Sequence, residues 1–141
     1  MASPAQTILM LFAGLTLTSC PTPHARANEP ATFDCLDPTH HDGDAIRCKG
    51  DRRSMRLAGI DAPEMPGACR TGRICVAGDP YASRDHLAAL TRNRHVTCSI
   101  LDEDQYGRLI VSCKAGTLDL SCEQVRSGHA IFRYRPIRCA P

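Results

Sequence analysis

The chain has 141 residues, with 17 Lys+Arg against 15 Asp+Glu for a net charge of +2, 43% hydrophobic and 23% charged positions. That length suits one domain rather than two stable cores, and the apolar share is too high for general disorder. The near balance of charge excludes recognition of nucleic acid by bulk electrostatics, so any phosphate contact must come from locally placed residues. All cations except Lys49 and Lys114 are Arg, a residue suited to bidentate phosphate contacts, although a coding bias would give the same composition.

Residues 8–17, ILMLFAGLTL, form an uncharged stretch too short to cross a bilayer as a helix. The Ala25-Arg26-Ala27 triplet after it is an A-x-A cleavage pattern, which predicts an export signal over residues 1–27 and a mature domain over 28–141. Leu17-Thr18-Ser19-Cys20 is a competing signal, a lipobox that would anchor the chain to a membrane through an acylated Cys20. Both routes predict export, to a periplasmic or secreted location. Either also removes Cys20 from the pool of pairing thiols and leaves eight: Cys35, Cys48, Cys69, Cys75, Cys98, Cys113, Cys122 and Cys139. An even set in a small exported domain reads as a disulfide framework, and the absence of any C-x-x-C weakens a zinc-ribbon alternative.

Along the mature chain, residues 31–36, 45–48 and 54–60 read as three short strands, the first two joined by the Asp42-Gly43-Asp44 turn as a hairpin. A loop rich in Gly, Pro and Cys follows over 62–78. Asp79-Pro80 supplies an N-cap and a Pro at the first helical position, opening a helix to about Arg92. Residues 95–101 and 108–114 read as strands flanking the acidic turn Asp102-Glu103-Asp104. A second helix runs over about 120–127, with Leu118, Cys122 and Val125 on one face and Gly128 as its stop. The order accommodates an α+β, mainly β fold: a five-stranded OB-like barrel with two or three helices. Cys98 and Cys113 fall on apolar-facing positions of neighbouring antiparallel strands, and Cys69 and Cys75 lie close together in one loop. Those two pairs are preferred, with Cys35–Cys48 and Cys122–Cys139 completing the framework from the 105 pairings open to eight Cys.

Four segments stand out: Asp42-Gly43-Asp44, the run from Arg56 through Ile60-Asp61-Ala62-Pro63-Glu64, Asp104-Gln105-Tyr106-Gly107-Arg108, and Arg133-Tyr134-Arg135. Each alone has an ordinary explanation as a turn, a strand exit or a solvated surface. Together and in this order, with the V-R-x-G-x-A run at 125–130, they resemble the staphylococcal nuclease (thermonuclease) family from about Thr32 to Tyr134.

The resemblance implies hydrolysis of phosphodiester bonds in DNA or RNA, with Ca²⁺ as cofactor. It makes Asp44, Asp61 and the carbonyl of Ala62 the metal ligands and Asp42 an acidic residue behind them; hard oxygen donors suit Ca²⁺. Glu64 matches the general base for the attacking water. Arg56 and Arg108 match a guanidinium pair that grips the phosphate, and Tyr106 and Tyr134 match aromatic positions beside the nucleotide. Ala45 departs from the family's usual Thr, and the Cys content is far above that of the founding member. A monomer with no protein partner is expected. A non-catalytic nucleic-acid-binding OB fold is the alternative, disfavoured because Asp44, Asp61, Glu64, Arg56 and Arg108 are all present. A metal site at His40-His41-Asp42 is also disfavoured, since adjacent strand side chains point to opposite faces, and His86, His95 and His129 carry no expected role.

Overall fold

The structure is a computed structural model and describes residues 29–140. The proposed signal, its cleavage site and Cys20 lie outside the described residues. Eight strands and two helices follow in the order β1 (Thr32–Asp34), β2 (Ala45–Ile46), β3 (Met55–Leu57), β4 (Ile60–Asp61), α1 (Pro80–Thr91), β5 (Val96–Glu103), β6 (Leu109–Ala115), β7 (Leu118–Asp119), α2 (Leu120–Arg126) and β8 (Ile131–Phe132). The fold is mainly β with two helices.

Strand pairing differs from the sequence expectation. β1 pairs antiparallel with β5, not with β2, and the main sheet runs β1-β5-β6-β3-β2 with β7 on the side of β6. Asp37, at φ 40, and Pro38, which has no N–H, end the first extended segment before it can pair regularly with β2. Residues 36–49 instead form an open arch, tied by the Thr39–Arg47 bridge and by the Lys49 N–H donating to the Leu36 carbonyl. Asp42-Gly43-Asp44 sits within that arch rather than as the two-residue loop of a hairpin. The expected strand over 54–60 is two strands, because the chain turns at Gly59 (φ 74), where an added Cβ would lie 2.5 Å from Ile137. β4 leaves the main sheet and pairs with β8. Among the described residues the ladders make these two separate sheets and no closed ring.

The long β5–β6 ladder carries the core. Val96, Cys98, Val111, Cys113 and Ala115 point inward and meet Ile46, Met55, Leu57, Leu87 and Leu120. A register shift between Ile100 and Asp102 turns the end of β5 outward, so Asp102 and Glu103 belong to the strand and the turn itself falls on 104–107. α1 starts where the sequence predicts, with the Asp79 side chain accepting from the N–H groups of Tyr81 and Ala82. α2 begins at Leu120, as the sequence predicts, but its buried face differs. Leu118 is in β7, and the buried residues of the helix are Leu120, Ser121, Cys122 and Gln124. Four disulfides join Cys35–Cys48, Cys69–Cys75, Cys98–Cys113 and Cys122–Cys139, the same four pairs that the sequence reading prefers.

Candidate active site

The arch over 36–49 is held against the helices by a buried amide and by His40, which meets Thr91 of α1 at 2.9 Å. Gln124 of α2 donates from Nε2 to the Gly43 carbonyl at 2.6 Å and to the Ser83 carbonyl at 3.1 Å, while its Oε1 meets His86 Nδ1 at 2.5 Å. Ser83 Oγ in turn donates to the His129 carbonyl. A Cβ at position 43 would lie 1.7 Å from Ser83 Oγ, so only glycine lets the arch approach α1 this closely. Asp44, the next residue, is thereby delivered to the start of the segment after β4, where its Oδ2 accepts from the Ala62 N–H at 2.9 Å. The Asp42 carboxylate accepts from the Asp44 N–H at 3.3 Å, which steadies the same bend.

Asp44 and Asp61 then converge on a single nitrogen. Arg56 Nη2, from β3, lies 2.7 Å from Asp44 Oδ2 and 2.5 Å from Asp61 Oδ1. Asp61 is fully buried and has three further donors: Arg73 Nη2 at 2.7 Å and the Tyr134 hydroxyl at 3.3 Å on Oδ1, and Arg133 Nη1 at 2.6 Å on Oδ2. Glu64, at the edge of this group, pairs with Arg73 Nη1 at 2.8 Å. Burial pushes the Asp44 carboxyl up to about 7; Arg56 and the Ala62 N–H pull it back, while Asp42 and Asp61 add to the push. The hydrogen bond to Asp61 raises the Arg73 guanidinium further above its already high value, so it stays charged.

The guanidinium pair expected from the sequence is not assembled as a pair. Arg56 is committed to the two aspartates. Arg108 is committed to Asp104, which it contacts from Nε and from Nη2 at 2.8 Å each. Asp104 organises that turn, accepting also from the N–H groups of Tyr106 and Arg108 at 2.9 and 3.0 Å. Burial would raise its carboxyl, but these hydrogen bonds outweigh it and hold it below the usual range. Both arginines nevertheless line one cleft of about 1020 Å³, together with Asp42, Glu64, Arg73, Tyr106 and Tyr134. Asp44, Asp61 and Ala62 are buried beside it. Arg56 also lies 5.4 Å from the centre of the Tyr134 ring, a cation–π distance.

Among the described residues no three His, Cys, Asp or Glu side chains converge as a finished cation cage. Two carboxylate oxygens that both reach one nitrogen are close enough to share one hard cation, so the donor set fits such an ion at Asp44 and Asp61. Arg73 and Arg133 were missed by the sequence reading as site residues. Arg73 belongs to a loop with no hydrophobic period, and Arg133 was noted only as part of a motif; their acidic partner lies 12 and 72 residues away. His40 hydrogen-bonds the Ala45 carbonyl and Thr91, a satisfied histidine in the arch.

A family model described as staphylococcal nuclease homologue matches residues 54–139. The chain belongs to the staphylococcal nuclease family. The match holds Arg56, Asp61, Glu64, Tyr106, Arg108 and Tyr134 but begins after Asp42 and Asp44, which only the folded arch brings to Asp61. Similar curated proteins carry the name probable endonuclease LCL3. That of Verticillium alfalfae is 38% identical over 66 residues, covering 45% of this chain and 21% of its own. That of Yarrowia lipolytica is 31% identical over 83 residues, covering 55% of this chain and 34% of its own. The chain thus spans about a fifth to a third of the length of these relatives.

Proposed function

We propose that the chain is an exported, Ca²⁺-dependent nuclease that hydrolyses phosphodiester bonds of DNA or RNA by attack of water. The convergence of Asp44 and Asp61 on one point, with Glu64 beside it at the edge of an arginine-lined cleft, carries this reading. The relatives named endonuclease support it. Asp44, Asp61 and the Ala62 carbonyl would hold Ca²⁺, with Asp42 behind them. When bound, the ion supplies positive charge to the phosphate and to the attacking water.

The remaining roles fall to the chain's own side chains. Glu64 takes a proton from water, a role for which its contact with Arg73 orients it. Arg56 stands against the two aspartates, where a guanidinium can donate to a phosphate oxygen brought to them. Arg108, which lines the same cleft, exchanges its Asp104 contact for the phosphate and stabilises charge that grows there in the transition state. Tyr106 and Tyr134 are exposed and offer ring faces to the bases.

Residues 1–27 act as the export signal and 28–141 as one OB-like barrel domain, working as a monomer. Four disulfides suit an oxidising compartment. The test is digestion of single- and double-stranded DNA and RNA by the oxidised protein with Ca²⁺, with Mg²⁺ and with chelator. Cleavage with Ca²⁺ that chelator abolishes is expected; cleavage that survives thorough metal removal, or none in any condition, overturns the reading.

A further inference from the structure

The Cys69–Cys75 bridge closes a seven-residue ring, Cys-Arg-Thr-Gly-Arg-Ile-Cys, that none of the family motifs includes. Inside it the Arg73 N–H donates to the Arg70 carbonyl at 3.1 Å, and Gly72 has φ 81. That is a β-turn with glycine at the position requiring positive φ, and it brings Arg70 and Arg73 to the two ends of one turn, within about 7 Å of each other. Both line the cleft. Arg73 reaches inward to Asp61, Glu64 and the Tyr134 hydroxyl. Arg70 reaches along the rim and lies 4.9 Å from the centre of the exposed Tyr106 ring, which has Arg108 at 5.6 Å as well. Between Glu64 and Asp79 the chain has no acidic residue, so this loop is a local positive arm on a nearly neutral protein.

We propose that the Cys69–Cys75 ring is a strand-binding subsite, in which Arg70 holds a backbone phosphate flanking the bond to be cut while Arg73 anchors the ring to Asp61 and Glu64. The inference rests on the nuclease reading and adds to it a preference for polymer over dinucleotide. The bridge and the Arg73 ion pairs hold the turn that carries Arg70, so less backbone freedom is lost when a phosphate binds there. Tyr106, between Arg70 and Arg108, gives the adjoining base a ring to stack on. The occupant is a single strand, because a strand's bases can leave the stack to meet an exposed aromatic ring while its phosphates follow the arginines.

The experiment measures anisotropy of a labelled 12-nucleotide oligothymidylate and a labelled dinucleotide, both in chelator, with the oxidised protein over a range of salt. Arg70→Ala and the double variant Cys69→Ser/Cys75→Ser are compared with wild type. Each is expected to weaken binding of the 12-mer about five- to tenfold at moderate salt, and Arg70→Ala to flatten the salt dependence by about 0.7 in the log–log slope, as for one lost contact to a single strand. Dinucleotide binding is expected to stay within about twofold. In Ca²⁺ Arg70→Ala should raise KM for the 12-mer with little change in kcat. Unchanged 12-mer binding in both variants, or equal losses for 12-mer and dinucleotide, overturns the subsite. A wild type that cuts the 12-mer while the variants bind it normally sinks this inference alone. A wild type that neither binds nor cuts any probe sinks the nuclease reading with it.

Discussion

The sheet body and the loop from Ala62 to Gly78 are held in place by different means. In the body, the β5–β6 ladder, a buried apolar cluster and three disulfides with mostly buried sulfurs act together. The loop has no regular strand or helix, and it is tied by one ring disulfide, a few backbone turns and ion pairs from Arg73. Global stability should therefore reside in the body, while the arrangement over the cleft depends on a few side chains. A substitution can damage one without the other.

The sharpest separation is expected from Glu64→Gln, which keeps the shape of the loop and removes the proposed base. Turnover should fall by about 10²–10⁴ while oligonucleotide binding and Tm stay near wild type. Steady-state kinetics beside a thermal melt checks this, and near-native turnover would remove Glu64 from the reaction.

Gln124→Leu should do the reverse within the body. It strips hydrogen bonds from the Gly43 and Ser83 carbonyls and from His86 at a fully buried position. With a buried unsatisfied polar group costing about 1–3 kcal/mol, a loss of about 3 kcal/mol is expected in denaturant melts. The Asp44 arch loses its tether at the same time, so activity measured well below Tm should also drop, linking the two regions through one residue.

Paired Cys→Ser variants sharpen the contrast further. Removing Cys98–Cys113 from the core ladder should lower stability by about 2–4 kcal/mol and leave activity in the cold largely intact. Removing Cys69–Cys75 should shift Tm less and KM for long strands more. Identical shifts in both readouts for the two variants would show that body and loop form one cooperative unit.

The smallest effect concerns pH. Burial lowers His40 below its ordinary value near 6.5, against the Ala45 carbonyl and Asp42, which raise it. A histidine depressed in the folded state favours folding above the unfolded value and loses that contribution as pH falls toward the folded value. The His40 contribution should therefore fade as pH drops below about 6.5, and His40→Gln should remove that part of the slope. Equal slopes in the two proteins would exclude His40 as the source.

Much of this was legible from local chemistry. The Asp79-Pro80 cap places α1, the strand-like runs 95–101 and 108–114 place the main ladder, and the motif residues mark the cleft. What stayed hidden was set by partners distant in sequence. Strands of two residues, such as β4, β7 and β8, carry no period to read. The Asp-Gly signal located a bend correctly but could not show that β1 would pair across the sheet with β5. Only the family resemblance makes Arg56 and Arg108 one pair. Their actual carboxylate partners depend on how those strands cross, and Arg73 enters from a loop whose path the sequence leaves open.

The hydrogen bond between Gln124 and Gly43 spans 81 residues. An emerging chain can make β1, β2 and even the β5–β6 ladder before α2 exists, but the Gln124 tie to the Asp44 arch forms only when residues 120–126 have folded against it. Such a long loop closure belongs to the late stages of folding. Synthesised from its N-terminus, the protein would keep the Asp44–Asp61 cluster incomplete until Gln124, Arg133 and Tyr134, and so nearly the whole domain, are available.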